Sequence, residues 1–145
     1  MFAIVVSRFN EEITEGLLRG ARAALAEASI ADDAVRVVRV PGAFEIPIAA
    51  QRLAESGEFD AIICLGCLIK GDTMHFEYIA DAASSGIQQA ALATGVPMAF
   101  GVLTTMTDEQ AAERAKDGPA NKGREAALAA IEMAALFRKL DEGQV

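Results

Sequence analysis

The sequence predicts an α/β fold: a three-layer α/β/α sandwich with a central four-stranded parallel sheet. Three observations carry this. Apolar, β-rich runs alternate with amphipathic stretches of helical period from the start of the chain onward. The run Ala61–Ile69 (AIICLGCLI) is apolar almost throughout, as a central parallel strand covered on both faces must be. The spacing of the β-rich runs leaves room for a helix in each connection, which parallel strands joined by right-handed crossovers require.

Phe2–Ser7 (FAIVVS) reads as the first strand. Asn10 follows as an N-cap, with Glu11 and Glu12 in the first turn of helix one, where the helix dipole favours carboxylates. Ile13, Leu17, Leu18, Ala21 and Leu25 recur on one side of that helix. Val35–Val40 (VRVVRV) reads as strand two. A second helix is expected from about residue 44 to residue 56, closed by Gly57, with Pro47 in its first turn, where a missing N–H costs little. Strand three is the apolar run already named, and helix three spans from near Thr73 to near Gly95. Residues 96–104 form strand four. Thr107-Asp108-Glu109-Gln110 has the form of a capping box and opens helix four. Gly118-Pro119 interrupts it, and helix five extends from about Asn121 to Leu140, with Arg138 and Lys139 near its end.

The 145 residues suit one domain, residues 1–145, and the 52% hydrophobic content is enough for a sizeable core. The formal net charge of −8 argues against a nucleic-acid partner, because phosphodiester backbones need a basic surface. No apolar run reaches the ~18 residues that span a bilayer, and the first ten residues read as a strand rather than a leader. A cytoplasmic protein with no membrane partner is expected. Cys64 and Cys67 form a CxxC inside strand three. Their apolar surroundings, with no second Cys pair and no His cluster, read as a buried strand rather than a metal site.

In open parallel sheets, ligands bind beyond the carboxyl ends of the strands. That rule selects residues 8–10, 41–45, 70–75 and 104–107. Gly71-Asp72-Thr73 lies where a helix begins, and a helix N-terminus with close backbone approach suits a phosphate, although strand-Gly-helix junctions are common without one. His75, the single histidine, is the residue type suited to proton transfer near neutral pH, and equally a merely exposed side chain. Phe9 and Phe44 stand in these loops either to stack on a planar heterocycle or to pack the neighbouring helix. Glu45 either accepts hydrogen bonds from sugar hydroxyls or serves as a first-turn charge. Arg114 and Lys122 flank the Gly118-Pro119 break with Lys116 nearby, forming either an anion site or a solvated face.

Several stretches resemble the lumazine synthase family in order and spacing. They are Arg8-Phe9-Asn10, Val40-Pro41-Gly42-Ala43-Phe44-Glu45-Ile46-Pro47, Gly71-Asp72-Thr73-Met74-His75-Phe76-Glu77-Tyr78, Phe100-Gly101-Val102-Leu103-Thr104-Thr105, and Glu113-Arg114-Ala115 followed by Asn121-Lys122-Gly123. The resemblance covers nearly the whole chain. It implies a flavodoxin-like fold and the condensation of 5-amino-6-(D-ribitylamino)uracil with 3,4-dihydroxy-2-butanone 4-phosphate to 6,7-dimethyl-8-ribityllumazine, phosphate and water. It implies neither a metal nor an organic cofactor.

Carried over residue by residue, the resemblance implies that Phe9 stacks on the pyrimidine and that Ala43, Phe44 and Glu45 hold the uracil-ribityl substrate. Backbone groups of Cys67, Leu68 and Ile69 would read the pyrimidine edge. Gly71, Asp72 and Thr73 would receive the phosphate, and His75 would transfer protons. Phe100 would close the ring pocket, Arg114 would bind the phosphate and Lys122 would contact substrate, these three coming from a neighbouring subunit. The implied partners are therefore small-molecule substrates and further copies of the chain, typically in a pentamer; association with riboflavin synthase is also open. Two departures stand out: Lys70 occupies a position where Arg is common, and residues 116–120 (KDGPA) replace a more usual Gly-Thr-Lys-Ala-Gly stretch. A flavin- or lumazine-binding protein without turnover, or a self-assembling shell, are the competing classes.

Overall fold

The computed structural model describes all residues, Met1–Val145. It contains four strands, β1 (Phe2–Ser7), β2 (Val35–Val40), β3 (Ala61–Ile69) and β4 (Met98–Thr105). Five α-helices accompany them: α1 (Glu11–Glu27), α2 (Ile46–Glu55), α3 (His75–Thr94), α4 (Asp108–Ala115) and α5 (Lys122–Asp141). All strand pairs are parallel, and the order across the sheet is β2-β1-β3-β4. The order reverses between β1 and β3, so the loops leaving those two strands diverge and open a crevice there. β4 is an edge strand, paired only with β3.

Side chains alternate across the sheet with period two, and each face is buried by its own helices. Ile4, Val6, Ile63, Leu65 and Leu103 pack with α1, α4 and α5. Val5, Ile62, Cys64 and Val102 pack with α2 and α3 on the other face. β1 is buried along its whole length and β3 along all but its last two residues, as the apolar runs require. No helix is long and apolar enough to cross a membrane.

Local details differ from the sequence expectation for identifiable reasons. Helix two starts as a short 3-10 turn, Ala43–Glu45, before α2 proper. β4 starts at Met98 rather than residue 96; Pro97 has no N–H to give the ladder and contributes only its carbonyl, which accepts from Ile62 N at 2.9 Å. Helix three begins at His75, two positions after Thr73, whose Oγ1 accepts the His75 N–H at 3.3 Å. Asn10 occupies the N-cap of α1 but is left-handed (φ 59°) and makes no cap bond. Its Nδ2 instead donates to the Cys67 carbonyl at 2.9 Å, tying the β1–α1 loop to β3. Thr107 caps α4 as expected, accepting from Gln110 N at 3.1 Å, while Gln110 Oε1 accepts from Met106 N at 2.8 Å.

The α1–α5 contact depends on small residues. A Cβ on Gly123 would run into the backbone carbonyl of Leu17 in α1. Backbone cannot yield as a side-chain tip does. Gly123→Ala is therefore expected to cost about 1–3 kcal/mol of stability, the range of overpacked cores. A lowered urea midpoint against wild type checks this; an unchanged midpoint would show that α5 can slide freely on α1.

Candidate active site: a crevice pocket and a pocket along β4

Two of the chain's pockets gather the expected site residues, and they share no lining residue. The first lies at the crevice between β1 and β3. The ladder between β1 and β2 continues past the strand ends, through Arg8 N to Val40 O at 2.8 Å and Phe9 N to Pro41 O at 3.0 Å. Those bonds hold the β1–α1 and β2–α2 loops side by side. Together with β3 and the start of α3, they enclose about 480 Å³ lined mainly by apolar side chains. Phe9, Ala43, Phe44, Glu45, Leu68, Ile69 and His75 all line it. Phe9 and Phe44 are 64% and 58% exposed, which removes the core-packing alternative for both rings and leaves them on the pocket wall. Glu45 supplies the acceptor in an otherwise apolar wall.

The second pocket, about 360 Å³, lies along β4 against α4 and α5. Phe100, Thr104, Thr105, Arg114, Lys122 and Glu125 are among its lining residues. Arg114 reaches back along α4 to donate from Nη1 to Gln110 O at 3.0 Å, which leaves the rest of its guanidinium fork open. Lys122 pairs with Glu125 one turn along α5 at 3.0 Å, a partly exposed pair worth little in stability. The two cations reach the same pocket although Gly118-Pro119 separates their helices.

Asn121 explains how, and sequence reasoning missed its weight. It is fully buried. Its Oδ1 accepts from Arg124 N at 3.0 Å and caps α5. Its Nδ2 donates to the carbonyls of Gly16 (3.0 Å), Ala115 (2.9 Å) and Lys116 (3.1 Å). One side chain thus fastens the end of α4 and the start of α5 to α1. The signal available was a good N-cap residue before an apolar-periodic helix; its burial was not readable. Glu125 was also missed, although its three-residue spacing from Lys122 is a visible pairing signal.

The remaining expected residues sit apart. Gly71, Asp72 and Thr73 are exposed and line neither pocket. Cys67 is buried in β3, and its carbonyl is taken by Asn10. Cys64 and Cys67 are both unpaired and buried. Burial pushes the Cys64 thiol up to about 12; burial, then the nearby Asp108 charge, pushes Cys67 up to about 11. Both values are raised above the ordinary value of 9.0, so the neutral thiols stabilise the fold fully below about pH 9, and that contribution is lost as the pH climbs through 11 and 12. A steeper alkaline fall in the urea midpoint for wild type than for a C64A/C67A variant is expected; parallel curves would contradict it. No group of three or more His, Cys, Asp or Glu side chains is placed to hold a metal ion.

Comparison with known proteins decides the family. The sequence pattern of 6,7-dimethyl-8-ribityllumazine synthase matches residues 1–138. A 6,7-dimethyl-8-ribityllumazine synthase of Salinibacter ruber (strain DSM 13855 / M31) is 54% identical over 140 residues, covering 97% of this chain and 90% of the relative. The chain belongs to the 6,7-dimethyl-8-ribityllumazine synthase family. As a lumazine synthase it is a transferase of riboflavin biosynthesis. Its four-stranded parallel sheet, in the order β2-β1-β3-β4, agrees with the flavodoxin-like fold that the resemblance implied.

Proposed function

We propose that the lumazine synthase reaction runs in a composite site, in which the crevice pocket of one copy is completed by the β4 pocket of a neighbouring copy. The observation that supports this best is the separation of the pockets. Phe9, Ala43, Phe44, Glu45 and His75 line one, and Phe100, Arg114 and Lys122 line the other. The family resemblance assigns those same two groups to two different subunits. The chain also exposes Ile48, Tyr78, Leu92, Phe100, Leu136 and Leu140, apolar side chains that contacts between copies would cover, in keeping with a homo-oligomer.

The enzyme condenses 5-amino-6-(D-ribitylamino)uracil with 3,4-dihydroxy-2-butanone 4-phosphate to 6,7-dimethyl-8-ribityllumazine, phosphate and water. In the proposed site, Phe9 stacks on the pyrimidine and Phe100 of the neighbouring copy closes the ring pocket. Glu45 accepts hydrogen bonds from the ribityl hydroxyls, with Ala43 and Phe44 shaping that wall. Backbone groups of Cys67, Leu68 and Ile69 meet the pyrimidine edge, the Cys67 carbonyl also accepting from Asn10. Arg114 of the neighbouring copy holds the phosphate over Gly71, Asp72 and Thr73, and Lys122 adds a second cation. The amine attacks the ketone, the carbinolamine loses water to an imine, phosphate is eliminated, and ring closure with loss of water completes the product. His75, at the start of α3 and on the pocket wall, moves protons in these steps.

Holding two reactants in register can lower a barrier by about 7–11 kcal/mol, so positioning carries much of the rate. Residues 1–145 act as one domain in this reading. The two unpaired cysteines fit a reducing, cytoplasmic compartment, and the released lumazine leaves riboflavin synthase as a further partner.

The test is lumazine formation from both substrates, followed by absorbance and fluorescence. Acceleration well above the uncatalysed condensation is expected, and its absence from folded protein would refute the reading. His75→Ala is expected to slow turnover up to about 100-fold, the low end for loss of a general acid–base group, with the oligomer unchanged. Undiminished turnover would remove His75 from the mechanism.

A further inference from the structure

The loop that joins β3 to α3 carries the proposed phosphate residues, yet it is scarcely attached to the protein. Residues 71–74 are exposed, and none of their hydrogen bonds reaches beyond the first turn of α3: the bonds present are His75 N to Thr73 Oγ1 and Tyr78 N to Met74 O. A Cβ added at Gly71 would meet nothing within 4 Å. What fixes the loop lies at its two ends. Lys70 is anchored at its backbone, where its N–H extends the β3–β4 ladder to Thr105 O at 2.9 Å. Its ammonium is paired with Glu77 Oε1 in the first turn of α3 and sits 5.6 Å from the centroid of the Phe76 ring. Glu77 Oε2 is buried without a partner, so Lys70 is the only hydrogen-bond partner of that carboxylate.

We propose that the Lys70–Glu77 ion pair, with the Phe76 ring beneath it, is a clasp that sets the 71–74 loop for the sugar phosphate, Lys70 acting as a positioning residue rather than as a phosphate ligand. The clasp spans the loop from strand end to helix start, and His75 lies between its two ends. The adjacent Glu77 carboxylate neutralises the ammonium locally, which weakens its attraction for an anion. A partly buried pair of this kind is worth up to about a fivefold change in an equilibrium, and the ring contact adds to it. The pair also puts a carboxylate in the first turn of α3, where the helix dipole favours it.

This inference rests on the proposed phosphate role of the loop, so its test is run beside Arg114→Ala. The clasp predicts that Lys70→Met and Glu77→Gln each raise KM for 3,4-dihydroxy-2-butanone 4-phosphate about fivefold, leaving KM for the ribitylaminouracil within about twofold. The K70M/E77Q double variant should be no worse than either single one, because the second change removes nothing more. Lys70→Arg, which can keep the pair, should restore most of the lost affinity. The decisive arm is Glu77→Gln. If Lys70 itself held the phosphate, freeing it from Glu77 would maintain or lower KM for the sugar phosphate, and that result would overturn the clasp. Additive losses in the double variant, or equal losses for both substrates, would overturn it as well. An Arg114→Ala variant with an unaltered sugar-phosphate KM would instead strike the phosphate-site reading beneath it.

Discussion

Arg114→Ala is expected to lower kcat/KM for 3,4-dihydroxy-2-butanone 4-phosphate by one to two orders of magnitude while KM for the ribitylaminouracil stays nearly constant. The guanidinium lines the β4 pocket and is held to α4 by one bond to Gln110 O. Its remaining donors are free to meet a phosphate in the forked geometry that suits two oxygens at once. Each charge-assisted hydrogen bond lost is worth about 1.5–3 kcal/mol, which is the source of the predicted factor. Lys122, a point charge already shared with Glu125, cannot replace that geometry. Steady-state kinetics with each substrate varied in turn separates the outcomes. Equal loss for both substrates would mean that Arg114 supports the structure of the site rather than the phosphate.

Asn121→Ala is expected to be the most damaging single truncation outside the aliphatic core. It removes the acceptor that caps α5 and the amide that serves three carbonyls, all at a position with no access to water. Loss of an N-cap alone costs about 1 kcal/mol, and each buried polar group left unpaired costs about 1–3 kcal/mol. A total of about 3 kcal/mol or more follows even if some of the carbonyls find new partners. Because α4 and α5 carry Arg114 and Lys122, the same change should impair sugar-phosphate use before the protein unfolds. A urea midpoint measured alongside activity reads both effects. Asn121→Asp is the informative companion: it keeps the cap acceptor but sets a carboxylate against three carbonyls, so it should be no better than alanine. A mild phenotype for both would show that the α4–α5 junction is held by packing instead.

β1 and β3 are legible because burial on both faces makes their sequences continuously apolar, and β2, at the sheet edge, because of its valines, with Arg36 and Arg39 left exposed. Phe2–Ser7, Val35–Val40 and Ala61–Ile69 were each placed to the residue. β4 was less sharply bounded, because Pro97 is apolar in pattern but cannot donate to a ladder. The loops bearing the site were selected by one rule about strand ends, and Phe9, Phe44, Glu45 and His75 do converge on one pocket. Tertiary use of polar side chains was not legible. Asn10 reads as a helix cap, yet spends its amide on the Cys67 carbonyl across the crevice. Asn121 reads only as the approximate start of helix five and proves to be the fastening between α1, α4 and α5. In each case the partner is distant in sequence or is a backbone carbonyl, which no residue pattern reveals. The division of the site residues between two pockets was likewise invisible to periodicity and spacing, and came only from the family resemblance.

If a working site takes one pocket from each of two copies, mixed oligomers will show it. One chain would carry Phe9→Asp and His75→Ala, disabling the crevice pocket, and a second would carry Arg114→Ala and Lys122→Ala, disabling the β4 pocket. Each is expected to be nearly inactive alone. Co-expressed in equal amounts and purified together through two different tags, they should regain lumazine formation, because about a quarter of the sites in a randomly mixed ring would pair one intact pocket of each kind. Activity of the mixed oligomer no higher than the average of the two parents would contradict the claim and confine the chemistry to a single chain.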